Sequence, residues 1–395
     1  MYKFNQYAIR NILVFILIFN TINCEKEEND DYSLLLLSLI NLSNDRIGYF
    51  DSIEIFNSNS QLFEMNTSRL SEAKIQHKST LLKNGNVLIT GGSSGANRIY
   101  SSADIYNNST NAVERLPDMH FRRNLHSQTI LKDGTVLIAG GYCIFGESAL
   151  DKAEIYDPNL KVFTVVGSMN YSRCSHGASL LADGRVLIVG GYDPKARMAR
   201  KEMELYDPAT KSFTTIGNLV EAREFGIRLL NTNEEIPIIF GGNDGTDDLK
   251  SIDVLNSITL EFEKKNQLTV ARNSPNVVKF LDGRMLIASG RNGTAFIDTA
   301  EIYDPTTNTI SLITSKLNNA AIDREPVILN DGRVLLTGGF WGSGKGALNR
   351  SEFYDPVQNA FIEGPQLTRS RHGQNATLLN DGNVLITGGR NLATP

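Results

Sequence analysis

The sequence predicts an all-β fold, a seven-bladed β-propeller with four antiparallel strands per blade, and three observations carry that expectation. A segment of about fifty residues recurs seven times, each copy ending in an apolar run and usually a glycine pair. The leading glycines stand at Gly91, Gly140, Gly190, Gly241, Gly338 and Gly388, with Ser289 in the remaining copy, so the steps are 49, 50, 51, 48, 49 and 50 residues. A period of that size marks stacked supersecondary units that need neighbours to bury their faces. Finally, each end of the repeat region holds only half a copy. With 395 residues and 41% apolar content the chain suits one large closed domain, because the repeat overrides the several domains that length alone suggests.

At the N-terminus, Lys3 and Arg10 give a basic start, Ile12 to Phe19 form an apolar stretch too short to span a bilayer, and Asn20 to Asn23 lead into Cys24. This pattern resembles a bacterial lipoprotein signal of the looser spirochaete type, with Thr21, Ile22 and Asn23 before the cysteine. The resemblance implies a signal peptide over residues 1–23, acylation of Cys24, and a chain exported to the cell envelope and anchored in a membrane, at the outer membrane or cell surface. Glu25 to Asp31 is polar and acidic, as a tether is. Leu34 to Leu42 is apolar and reads as a short helix on the domain or on lipid, or as a patch packed on the domain's outside. Residues 24–49 therefore form anchor and tether, and residues 50–395 the propeller.

Within the third copy, Asp183-Gly184 separates two apolar strands and suits a two-residue hairpin whose central residues take positive φ. Asn84-Gly85, Asp133-Gly134, Asp282-Gly283, Asp331-Gly332 and Asp381-Gly382 repeat the device, and Asn233-Glu234 is expected to replace it in the remaining copy. Val186 to Val189 is apolar at every position, as a strand covered on both faces is. The glycine pair then removes side chains where the chain bends or passes close to a neighbour. A third strand ends in Tyr-Asp-Pro at Tyr156, Tyr206, Tyr303 and Tyr354. Proline there presets the turn into a fourth strand carrying Phe163, Phe213 or Phe361.

An apolar strand ending in Gly-Gly, a variable loop, Glu-x-Tyr-Asp-Pro and a later aromatic together resemble the kelch repeat over nearly all of residues 50–390. The fourth strand carries Phe where many kelch proteins carry Trp, and Trp341 is the single tryptophan. At the ends, Ser52 to Met65 supplies a third and fourth strand and Gln374 to Gly389 a first and second. Pairing of Val384 to Ile386 with Ile53 to Ile55 completes a seventh blade and removes the exposed edges of an open array.

What recurs in every blade serves the scaffold, and what occurs once is the better functional candidate. Ten positions before each hairpin stand Lys74, Arg123, Arg173, Arg223, Arg272 and Arg371, with Ala321 in the sixth interval and Arg324 nearby. They are expected on the connections between blades, ringing one mouth of the central channel. The kelch resemblance implies an acidic ligand for such a ring, as in the kelch domains of ubiquitin-ligase adaptors. The competing reading pairs these residues with Glu154, Glu204, Glu301 and Glu352 as blade-to-blade scaffold. His77, His126 and His176 share another column, but Gln374, Gly226 and Pro275 fill it elsewhere and no carboxylate recurs beside it, so no metal is expected.

Singular residues lie in the loops after the glycine pairs. Arg197 sits with Lys195, Arg200 and Lys201, and Asp247 with Asp244 and Asp248 at a spacing unlike an EF-hand. Phe340 and Trp341 occupy a glycine-rich loop suited to a partner or a sugar face. Cys143 and Cys174 fall on one face, where an oxidising compartment would let them pair, but their placement in adjacent blades favours separate thiols.

A net charge of −5 and a pI of about 5.7 argue against a general nucleic-acid binder. No catalytic constellation stands out, so the sequence predicts a binding module, monomeric and without a cofactor, that presents one loop-rich face to a protein or glycan. The kelch resemblance keeps two enzyme types open, a sialic-acid mutarotase and a galactose-oxidase-like copper enzyme. The latter needs tyrosines, a Tyr-Cys crosslink and histidines converging at the channel, which Tyr142-Cys143 alone does not supply. A structural surface protein without a specific ligand is the third reading.

Overall fold

Seven antiparallel sheets of four main strands form the propeller in the computed structural model, which describes residues 48–95, 98–224, 227–342 and 346–391. The signal segment, Cys24 and the tether up to residue 47 lie outside the described residues. The first blade runs outward as Lys78–Leu81, Val87–Thr90, Ala103–Asn107 and Ala112–Arg115. All seven second strands are buried at every residue, from Val87–Thr90 to Val384–Thr387. Their side chains pack between blades. Leu88 and Ile105 of the first blade, for example, meet Val136, Ile138 and Tyr156 of the second. Each such burial stabilises by roughly 1.5–3 kcal/mol, which explains the unbroken apolar runs.

The turns follow from local chemistry. In the second blade the hairpin is a three-residue loop, Lys132-Asp133-Gly134, in which Gly134 alone takes positive φ, 92°, instead of the expected two-residue turn with both residues there. Asp157 Oδ1 accepts the N–H groups of Asn159 at 2.8 Å and Leu160 at 3.2 Å in the Tyr-Asp-Pro turn. The fourth blade differs from expectation. Its hairpin falls on Glu234-Glu235, with Glu235 at φ 59°, one residue later than Asn233-Glu234. There Thr232 Oγ1 accepts from Glu234 and Ile236, the work that aspartate does elsewhere.

The ring closes as the half-copies require. Ile53, Glu54, Ile55 and Phe56 pair with Thr387, Ile386, Leu385 and Val384, giving a seventh blade with Asn375–Leu378 innermost and Leu62–Arg69 outermost. Gly48 and Tyr49 also pair with Asn391 and Arg390. Every blade is therefore complete within residues 48–391. Strand polarity places the hairpins and Tyr-Asp-Pro turns on one face. The long loops after the glycine pairs, the connections between blades and the Gly48–Tyr49 strand share the other, the loop-rich face.

Candidate functional site

The basic column lies inside the blade joints. Lys74, Arg123, Arg173, Arg223, Arg272 and Arg371 are each 0% exposed and meet Asp104, Glu154, Glu204, Asp253, Glu301 and Glu54. Arg324, three positions beyond Ala321, supplies the seventh cation and bonds Glu352 at 2.9 Å. Arg123 shows how the joint works. Its guanidinium donates at 2.8 Å to both Glu154 and the Gly140 carbonyl of its own blade, while its backbone carbonyl accepts the Gly92 N–H of the preceding blade. Glu154 also accepts the N–H groups of His120 and Phe121 on the incoming connection. Burial pulls the Arg123 pKa down and Glu154 raises it again. The ring expected at the channel mouth is thus withdrawn into the scaffold, because each cation finds its counter-charge within its own sheet, and it offers no exposed charge to an acidic ligand.

The histidine column is also built into the joints. His77 and His126 place Nε2 2.8 Å from the hydroxyls of Thr387 and Thr90, and His176 places its own 2.9 Å from Ser127 Oγ, each in the preceding blade. Burial drives His77 and His176 down to about 3 and His126 well below its usual value, and nearby cations add to the effect. The rings are therefore neutral. Among the described residues no group of three His, Cys, Asp or Glu converges as a metal-ligand set. The donors do not fit a copper centre.

Along the axis the innermost strands enclose a cavity of about 280 Å³, lined in part by Lys78, His126, Gln128, His176, Glu325 and Asn375. Unlike the basic column, the positions opening these strands vary around the ring: Lys78, Ser127, Gly177, Arg228, Asn276, Val327 and Asn375. Lys78 and Glu325 were missed in the sequence. The available signal was a charge six positions before the hairpin, a column that holds Ser127, Gly177, Ile227, Asn276 and Asn375 elsewhere.

On the loop-rich face, Arg197 is exposed at φ 57°, with its guanidinium 4.2 Å over the ring of Phe145 from the neighbouring blade. Asp193 fixes this tip by accepting the N–H groups of Lys195 and Ala196 at 3.0 Å and by bonding Arg200. Gly146 N–H donates to Pro194 O at 3.0 Å, so the loops of blades two and three are joined. Cys143 and Cys174 form a disulfide with Cα atoms 5.6 Å apart, which corrects the expectation of separate thiols. The physical reason is the joint itself: the Arg173 carbonyl holds the Gly141 N–H, and this lays the next connection beside the loop.

Elsewhere on the face, Asp247 lines a polar cleft of about 250 Å³ with Asn243, Asp248, Arg291, Asn292 and Gly293. Gly293 N–H donates to Asp248 at 2.6 Å, and Asp244 accepts the N–H groups of Thr246 and Asp247. Arg291 and Asn292 form a short hairpin with Ala295 and Phe296. The Phe296 ring lies 6.2 Å from Phe340, and Phe340 lies 5.2 Å from His372. Trp341, half-buried, donates its backbone N–H to Gly346 O at 3.1 Å. Asp247 thus lies on the loop of blade four and Phe340 and Trp341 on that of blade six, with the Arg291–Phe296 hairpin of blade five between them, whereas Arg197 stacks on Phe145 at blades two and three. Arg291 and Phe296 escaped the sequence reading because the loops after the glycine pairs differ in sequence from blade to blade, although blade three forms a similar short ladder, Tyr192 and Asp193 with Ala199 and Met198.

No protein-family model matches the chain, and none of the curated proteins compared with it matches. Solved structures do resemble it. A fungal alcohol oxidase of the AA5 family, in complex with copper, aligns with TM-score 0.66 and 14% identity over 80% of this chain and 74% of its own. YjhT aligns with TM-score 0.56 and 13% identity over 74% of this chain and 97% of its own. At these identities the likeness is one of fold, and this chain is shown to be a seven-bladed β-propeller.

Proposed function

We propose that the protein is a binding module, exported and anchored through acylated Cys24, whose ligand occupies the loop-rich face at the cleft between Asp247 and Arg291. The carrying observation is that residues outside the repeat gather there: Asp247, Asp248, Arg291 and Asn292 border one cleft, and the Arg291 hairpin carries Phe296 toward Phe340. Planar polar groups beside aromatic rings suit a glycan or a protein loop. The Cys143–Cys174 disulfide supports export, since such bonds persist in oxidising compartments. A glycan and protein array probed with residues 47–395 tests the reading. Asp247→Ala with Arg291→Ala is expected to weaken the captured ligand about tenfold, ~1.4 kcal/mol, at unchanged thermal midpoint. A ligand indifferent to that pair removes the cleft, and an array without any ligand removes the module. Fatty-acid labelling that survives Cys24→Ala refutes the anchor.

A second reading, a carbohydrate-active enzyme, is favoured by Lys78 and Glu325 at the axial cavity. Proton NMR of sialic acids and galactose with the protein tests it. Faster anomer exchange that is lost in Lys78→Met or Glu325→Gln selects the enzyme.

A further inference from the structure

We infer that the joined loop tips of blades two and three form a docking ridge for an anionic lipid surface. Phe145 is 67% exposed and Met198 48%, and both lie at the outer end of this ridge. Lys195 and Arg197 are exposed beside them, and Arg122 at the base of the same blade pair. Over the two loops, residues 142–150 and 192–201, the cations Lys195, Arg197, Arg200 and Lys201 outnumber the acids Glu147 and Asp193, and Asp193 is spent on Arg200. The tip therefore carries positive charge on a chain of net charge −5. Apolar side chains set among cations at a convex tip are the composition that enters the headgroup region, with the rings in the acyl boundary and the cations at the phosphates. The Gly146–Pro194 bond, the Asp193 turn and the disulfide order both loops beforehand, so little conformational freedom remains to be lost on docking.

A second observation concerns orientation. Gly48 and Tyr49 pair with Asn391 and Arg390 on the same loop-rich face, so the chain enters the propeller there. This leg rests on the anchor proposed above: a propeller tethered to lipid from that side keeps the ridge within reach of the bilayer. The Asp247 cleft is lined from blades four and five, and none of the ridge residues substituted below lines it.

Vesicle flotation with residues 47–395, which contain every blade, tests the inference with phosphatidylcholine alone and mixed with phosphatidylglycerol. Binding is expected only to the anionic vesicles, weakened by salt, and reduced about tenfold by Phe145→Ser with Met198→Ser or by Lys195→Glu with Arg197→Glu. Ile258→Ser with Val357→Ser is the control. These side chains are 91% and 93% exposed, but they lie on turns of the opposite face and are expected to leave binding unchanged. Absence of vesicle binding, binding that survives both ridge pairs, or equal loss in the control overturns the ridge. So does an array protein released by the Phe145 and Met198 changes without vesicle binding, which makes the ridge a protein surface. A body that ignores vesicles but keeps an Asp247-dependent ligand sinks this inference and leaves the proposed function intact.

Discussion

Arg173 illustrates how much a single buried charge controls. Arg173→Met leaves Glu204 out of water with only the N–H donors of Asn170 and Tyr171 and the Asn170 amide. The expected loss in urea unfolding is about 3–5 kcal/mol. Adding Glu204→Met is expected to restore little, because those donors then lose their acceptor. The histidines give a pH dependence of definite sign. His77 and His176 titrate near 3 when folded and near 6.5 when unfolded, so acid protonates the unfolded chain first. Their stabilisation is full above about pH 6.5 and falls by about 1.4 kcal/mol per histidine per pH unit toward pH 3. Denaturation measured at pH 7 and pH 5 is expected to show the loss, and His77→Gln with His176→Gln to flatten it. Glutamine already fills this position at Gln374, whose amide donates to Thr337 O at 2.7 Å.

At the scale of strands and turns, the glycine pair is a contact requirement more than a bend. A Cβ on Gly140 would lie 2.6 Å from the Arg173 carbonyl, whereas one on Gly332, also at positive φ, meets nothing within 4 Å. Gly332→Ala is expected to cost about 1 kcal/mol from backbone strain alone, and Gly140→Ala several times that because two blades must part. Thermal midpoints of the two variants compare them directly. The junction of blades five and six shows the same rule through its exceptions. Ser289 Oγ donates to Ala321 O at 2.8 Å and accepts the Ala321 N–H at 3.1 Å, while Arg324 Nε donates to Gly338 O at 2.7 Å. The substitutions at Ser289 and Ala321, legible separately as lapses in the repeat, are one compensated joint. Sequence spacing does not reveal that, because the two sites meet only across an interface.

For the whole molecule, blade number and closure were legible because periodicity and half-copies are linear properties of the chain. The scaffold reading of the basic column was legible in part: Glu154, Glu204, Glu301 and Glu352 do pair with Arg123, Arg173, Arg272 and Arg324. The remaining partners, Asp104, Asp253 and Glu54, were not legible, because they differ from those glutamates by residue type or by lying at the far end of the chain. The Arg291–Phe296 hairpin lies in a loop whose residues change from blade to blade, so half of the proposed cleft was invisible. Deleting Gln374 to Pro395 removes two strands of the closing blade and Arg371's route to Gly388. The truncated chain is expected to lose its single cooperative transition in calorimetry, and a melt like that of the complete ring would contradict the closure.

Glu54 must wait for Arg371, which lies 317 positions later. At typical elongation rates that wait is on the order of 15–60 s. Until the ribosome has delivered its final strands, the nascent polypeptide has no finished hydrogen-bonded circle to lock. The closing blade is therefore the last to form, and its inter-blade contacts wait on nearly the whole of synthesis.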